Sequence, residues 1–115
     1  MTAQIPNLFP PSAPLVEQVA FDRAELAIIL GTYGRMVSAG EWRDYALSFL
    51  RDRAVFSAFR RAAETPVYRI EKQPKLRSRG GLYALFGIDG QLLKRANELP
   101  PIVRLLDRKL IRSVT

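Results

Sequence analysis

The most regular hydrophobic pattern in the chain begins shortly after residue 20. Its apolar side chains recur at spacings of three and four, which is typical of one buried helix face: Leu26, Ile29, Leu30, Tyr33, Met36 and Val37. Asp22 is a typical N-cap residue, and Glu25 lies three positions later, where it completes a capping box. Gly40 supplies a left-handed stop. The pattern predicts an α-helix over residues 23–39.

Two glycines, Gly31 and Gly34, lie inside this helix, where each costs roughly 1 kcal/mol relative to alanine. They could mark a place where a sheet or a partner backbone comes close. The segment Gly31-Thr32-Tyr33-Gly34 also matches the Gly-x-x-Gly form with which KH domains hold a nucleic-acid backbone. We set this match aside because it falls within a continuous amphipathic helix and not in a loop between two helices.

Between residues 42 and 61 the hydrophobic period is ambiguous. Large side chains alternate with small ones, as on a strand, but several also line up on one helical face: Tyr45, Phe49, Phe56 and Phe59. The high aromatic content and the charged trio at residues 51–53 favour two strands joined by a turn.

The next part of the chain predicts three further strands, over residues 67–72, 82–86 and 91–94. Pro66 and Pro74 bracket the first of them, as suits strand ends. The pair Asp89-Gly90 between the other two is a strong hairpin signal.

A second helix closes the chain. Pro101 suits its first position, and an apolar stripe follows: Ile102, Leu105, Leu106 and Leu110. Consecutive strands with short turns predict an antiparallel meander with the helices on one face. The predicted fold class is therefore α+β: one domain over residues 15–115, with an N-terminal helix, about five antiparallel strands and a C-terminal helix, behind a mobile Pro-rich leader at residues 1–14.

Composition removes many activities. The 115 residues include no histidine and no cysteine, so the commonest general base, the usual metal ligands and the thiol nucleophile are missing. Pairs of carboxylates such as Glu41 with Asp44, or Glu64 with Glu71, remain as candidate acid–base groups, and we interpret these acids as surface partners of neighbouring basic residues. We expect no catalytic residues, no metal and no cofactor. The start of the chain has no basic n-region, and no apolar run approaches the length of a membrane span, so we expect a cytoplasmic protein.

The net charge of +7 is concentrated in two segments. Residues 67–81 hold five basic side chains and one acidic one, and residues 99–115 hold four and one. We expect residues 72–81 of the first segment to form a mobile basic loop between two strands, and the second segment to form an arginine stripe opposite the leucines. Both could be ordinary solvated surface.

Our leading hypothesis is a non-catalytic module that binds a polyanion, either nucleic acid or a ribonucleoprotein. The candidate phosphate-binding residues are Lys72, Lys75, Arg77, Arg79, Arg104, Arg108 and Arg112. Tyr68 and Tyr83 could stack on bases if they lie on an exposed sheet face beside the loop.

The alternative is an adaptor or small subunit that docks a protein partner through an aromatic sheet face. It depends on five side chains crowded into eighteen residues: Trp42, Tyr45, Phe49, Phe56 and Phe59. They would form an interface patch only if the helices leave that face uncovered. A hydrolase that uses carboxylates is a third, weaker possibility.

Several sequence words between residues 20 and 110 carry a family resemblance: Gly34-Arg35-Met36-Val37, Gly40-Glu41-Trp42-Arg43-Asp44-Tyr45-Ala46, Asp52-Arg53-Ala54-Val55-Phe56-Ser57, Phe59-Arg60-Arg61, Tyr68-Arg69-Ile70-Glu71-Lys72 and Pro74-Lys75-Leu76. With these words the chain resembles a family of short bacterial proteins, domain of unknown function 2794. The resemblance implies a cytoplasmic bacterial context. It brings no established activity and no catalytic residues.

Overall fold

The elements follow the predicted order in a computed structural model that describes residues 17–61 and 65–114, with side chains as far as residue 110. They are α1 (Arg23–Ser38), β1 (Asp44–Phe49), β2 (Ala54–Phe59), β3 (Tyr68–Lys72), a 3₁₀ helix (Pro74–Arg79), β4 (Tyr83–Phe86), β5 (Leu92–Ala96) and α2 (Leu99–Val114). The α+β class is confirmed. The leader predicted at residues 1–14 lies outside the described residues.

The five strands form one antiparallel sheet in the order β1-β2-β3-β4-β5. The ambiguous region therefore consists of two strands, as predicted. Its register aligns large apolar side chains in a row across the sheet: Leu47, Phe56, Ile70 and Leu85. Because side chains alternate between faces, one register gathers the apolar residues of four strands on a single face.

Both helices cover this apolar face, and the core lies between them and the sheet. The helices run parallel, and near their C-terminal ends Arg35 Nε lies 3.2 Å from Asp107 Oδ1. Tyr33 of α1 reaches down to the sheet, with its ring centroid 4.8 Å from that of Tyr45 and 6.4 Å from that of Phe56.

The predicted aromatic interface belongs largely to this core. Trp42 and Phe56 are only 4% and 1% exposed, and Phe49 is half-buried against Phe21. Tyr45, at 38%, is the most exposed of the set on the covered face. Phe59 is half-buried on the opposite side of the sheet, because it follows Ala58, whose side chain lies on the covered face. The helices cover the face that the adaptor hypothesis needed to be bare.

The first helix begins at the predicted residue and ends at Ser38, one residue earlier than predicted. The Asp22 side chain accepts the Glu25 backbone N–H at 2.8 Å, and the Glu25 side chain accepts the Asp22 N–H at 2.7 Å. Gly40 has a φ of 77° and turns the chain toward β1. A methyl group at Gly34 would meet no atom within 4 Å outside its own helix, so the predicted close approach of a sheet is wrong there within the described residues.

Strand ends differ from the prediction by one or two residues, and two other differences concern the basic segments. The basic loop contains a 3₁₀ helix: Pro74 starts it with a fixed φ, and Gly80, at φ 73°, ends it. The second helix begins at Leu99, two residues before Pro101. Prolines in a first turn remove only N–H groups that have no partner inside the helix, so α2 tolerates two of them in succession.

Candidate polyanion-binding surface

The 3₁₀ helix places three cations at one end of the sheet. Lys75, Arg77 and Arg79 are all exposed, and none of them forms an ion pair within the described part of the chain. Two hydrogen bonds hold the 3₁₀ helix in place: Gly81 N–H donates to Leu76 O at 2.9 Å, and Asn97 Nδ2 donates to Arg77 O at 3.0 Å. The result is a short ordered basic segment between β3 and β4.

Two of these cations, Arg77 and Lys75, lie on different sides of the sheet. Arg77 lines a shallow cavity of about 350 Å³ beside the starts of α1 and α2, with Ala24 and Leu99. Lys75 lines another, of about 260 Å³, with Arg53. The segment therefore wraps the end of the sheet, with Arg77 on the helix side and Lys75 toward the opposite side.

The Lys72 side chain points into the interior and forms hydrogen bonds there. Its ammonium donates to Glu25 Oε1 at 2.8 Å and to Ala20 O at 3.0 Å, and its side chain is 17% exposed. The other oxygen of Glu25 accepts the Tyr83 hydroxyl. We call Glu25, Lys72 and Tyr83 the interior cluster. Lys72 is therefore separate from the exposed cations, although the sequence grouped it with them.

The interior cluster also removes Tyr83 from any base-stacking surface. Its ring is buried on the helix-covered face, and burial together with the Glu25 carboxylate raises the pKa of the Tyr83 hydroxyl well above its usual range. The hydroxyl therefore stays protonated and donates to the carboxylate. Tyr68 lies on the same covered face and packs against Trp42, with ring centroids 6.0 Å apart.

On α2 the predicted arginine stripe is exposed. Arg104 and Arg108 lie one turn apart and face solvent, while Ile102 and Leu106 on the other side are fully buried. Neither arginine has an ion-pair partner among the described residues. The side chain of Arg112 lies outside the described residues.

The two basic segments meet at the start of α2. Pro100 lines the same cavity as Arg77, and the four-residue spacing places Arg104 and then Arg108 on the same side of the helix as Pro100. At 1.5 Å per residue, Arg108 lies about 12 Å beyond Pro100 along the axis. Three acids, Asp22, Glu25 and Glu98, also line that cavity. They interrupt the run of exposed cations from Arg77 to Arg108, which we call the basic track, near its middle.

Sequence reasoning missed a second charged cluster, on the sheet face opposite the helices. There the Glu71 carboxylate, 4% exposed, accepts hydrogen bonds from Arg53 at 2.9 Å, Gln73 at 3.1 Å and Arg69 at 3.4 Å. Arg69 also lies over the Phe86 ring, 4.9 Å from its centroid. We call Arg53, Arg69, Glu71 and Gln73 the open-face cluster. Arg69 and Glu71 are two positions apart in β3 and therefore share a face, but no local pattern indicates Arg53. The surface position expected for Glu71 is wrong, because Arg53 and Gln73 enclose its carboxylate.

Neither helix of the described residues combines the length and apolar character needed to cross a lipid bilayer. No curated protein and no solved structure matches the chain. A family described as "Protein of unknown function (DUF2794)" matches residues 19–103, from the segment before α1 into the first turns of α2. This match covers every strand of the sheet and both buried glutamates, and the chain belongs to that family.

Proposed function

We propose that the chain is a small, non-catalytic, cytoplasmic module that binds a polyanion, either nucleic acid or a ribonucleoprotein, through Lys75, Arg77 and Arg79 with Arg104 and Arg108. The observation that carries the proposal is the exposure of these five cations without ion-pair partners in the described part of the chain. Cations already paired with carboxylates would lose that pairing on binding a phosphate, whereas these five lose none.

The shape of the basic segment supports contact with a phosphate backbone. A short 3₁₀ helix ended by Gly80 holds three long side chains within six residues, and two of them lie on different sides of the sheet end. Such a segment can contact neighbouring phosphates without a preformed pocket. Phosphate contacts of this kind carry little sequence information, so we expect weak sequence preference.

The test is a fluorescence-anisotropy titration of labelled duplex DNA and RNA at several salt concentrations. Affinity should fall steeply with salt, with a slope of about −0.9 in log K against log salt for each phosphate neutralised on B-DNA. The triple variant Lys75→Glu, Arg77→Glu and Arg79→Glu should lose at least tenfold in affinity and flatten this slope by about 3.

The matched control reverses three exposed cations elsewhere, at Arg43, Arg51 and Lys94. It changes the net charge by the same amount and should retain most of the affinity. Equal losses of affinity in the two triple variants would show that net charge alone, and not the 3₁₀ helix, determines binding. No binding of the unmodified protein to either nucleic acid at low salt would end the proposal.

A further inference from the structure

A groove runs along the seam between the C-terminal half of α2 and the sheet. It consists of two adjoining cavities, of about 330 Å³ and 210 Å³, which share Arg60, Tyr68 and Lys109. The larger continues beneath the β4–β5 turn, and the smaller continues toward α1. We call it the α2 groove. It is separate from the basic track, because Arg104 and Arg108 face solvent on the other side of the helix.

The three shared residues supply hydrogen-bond donors. Lys109 has no ion-pair partner in the described ranges, and Arg60 has only a loose one in Glu41, with 3.8 Å between Nη2 and Oε1. The Tyr68 hydroxyl makes no hydrogen bond to any described residue. Burial raises the pKa of Tyr68, so its hydroxyl keeps its proton at neutral pH and remains a donor.

The rest of the lining is mainly apolar. Val67 and Leu93 are half-buried, and Ile88 at the hairpin tip is 53% exposed beside them. Met36 and the buried Trp42 line the inner end. A concave surface with apolar walls and a few convergent polar groups is the usual form of a small-molecule site.

We propose that the α2 groove binds a small carboxylate with an apolar body. The carboxylate would lie between Arg60 and Lys109 and accept a hydrogen bond from Tyr68, and the body would lie against Val67, Ile88 and Leu93. The charge balance supports an anion, since two cations and one acid, Glu41, line the groove. A planar carboxylate also suits the fork of an arginine guanidinium.

Three probes separate the parts of the proposed ligand. We would titrate the isotope-labelled full chain with 4-phenylbutyrate, with the neutral 4-phenylbutanol and with acetate, and follow backbone amide shifts by NMR. The carboxylate with the apolar body should bind with a Kd on the order of 1 mM and shift Gly87, Ile88, Gln91 and Lys109. The alcohol and acetate should each bind at least fivefold more weakly.

The variants test the assigned residues. Lys109→Glu should weaken 4-phenylbutyrate binding at least fivefold, and Tyr68→Phe about threefold. Arg104→Glu makes the same charge change on the solvent side of the same helix and should bind the probe like the unmodified chain, although it should weaken nucleic-acid binding. A dispersed amide spectrum for each variant shows that it has folded.

Three results would overturn the proposal: shifts outside the groove, equal binding of the alcohol, or full binding by a folded Lys109→Glu variant. The triple variant of the 3₁₀ helix should still bind 4-phenylbutyrate, because none of its three substituted residues lines the groove. The groove and the polyanion surface are therefore tested independently.

Discussion

Two buried glutamates lie on opposite sides of the sheet and are held in different ways. Glu25 is bound by Lys72 and Tyr83, which are 47 and 58 residues away in the chain, and it joins α1 to β3 and β4. Glu71 is bound by Arg53, Arg69 and Gln73, all from the sheet or next to it. Since Glu71 and Lys72 are neighbours in β3, one strand contributes to both clusters. The interior cluster holds layers together, and the open-face cluster holds strands together.

The two clusters also differ in their access to water. The Lys72 side chain is 17% exposed, and it would be left with little hydration if its carboxylate were removed. Arg53 and Arg69 have side chains 36% and 32% exposed, so water can replace much of what Glu71 provides. We therefore expect the burial of the cation, more than the burial of the carboxylate, to decide how much each cluster contributes to the free energy of unfolding.

The largest expected effect tests the interior cluster. Glu25→Gln keeps a capping-box side chain but leaves the Lys72 ammonium without an anion, and we expect a loss of about 3 kcal/mol in the free energy of unfolding. Urea denaturation measures it. Glu17→Gln, at an exposed position, should change the stability by less than about 0.5 kcal/mol.

A second variant shows whether the loss comes from the stranded charge. Adding Lys72→Met to Glu25→Gln should restore part of the stability, because no buried cation is then left unpaired. If the double variant is less stable than Glu25→Gln alone, the loss has another origin and the contrast between the clusters fails.

The equivalent change on the open face should have a smaller effect. Glu71→Gln retains hydrogen-bond acceptance and leaves two partly hydrated arginines, so we expect a loss of about 1 kcal/mol. The same urea measurement applies. A loss as large as that of Glu25→Gln would show that partner exposure does not distinguish the two sites.

The alkaline stability of the chain tests the interior cluster through its tyrosine. The pKa of Tyr83 is raised in the folded state, so the folded chain holds this proton at a pH where the unfolded chain has lost it. The contribution of this hydroxyl to the free energy of unfolding is therefore fully present below pH 10. It decreases as the pH rises above 10, by up to about 1.4 kcal/mol per pH unit.

Tyr83→Phe isolates this contribution. Between pH 8 and pH 11, the free energy of unfolding should decrease more for the unmodified chain than for Tyr83→Phe, because only the unmodified chain has this hydroxyl proton to lose. Parallel pH profiles of the two proteins would contradict the assignment.

The smallest effect concerns α1 itself. Gly34 is exposed and has open space around it, so Gly34→Ala should stabilise the chain by roughly 0.5–1 kcal/mol. If the interior cluster makes α1 and the sheet unfold together, the whole gain appears in global unfolding. Amide hydrogen exchange that opens α1 separately from β3 would show that the cluster does not join the layers.

Much of the fold could be predicted because its signals are local. The capping box spans four residues, the hairpin signal two, and the strand alternation five or six. The secondary structure of the basic segment was harder to predict, since Pro74 and Gly80 are compatible with either a loop or a short 3₁₀ helix. The start of α2 was predicted at Pro101 and lies at Leu99, because a helix tolerates proline at any position of its first turn.

The charged sites were predicted less well because their partners are distant. The alternation of β3 assigns Lys72 to the face of Tyr68 and Ile70, which was a signal that it points inward. That Glu25 would meet it there depends on how α1 lies on the sheet, which no local spacing encodes. The same holds for Arg60 and Lys109, which only the packing of α2 brings to one groove.

The strand order has a consequence for the folding of the chain. Every strand pairs with its neighbour in sequence, so the sheet closes only short loops and can form early. The contacts of Glu25 close loops of 47 and 58 residues and belong to a later step. We expect φ-values near zero at Glu25 and higher ones in the β2–β3 pair. Loss of the Glu25 charge would then mainly speed unfolding and shorten the lifetime of the native chain, with little change in how fast it forms.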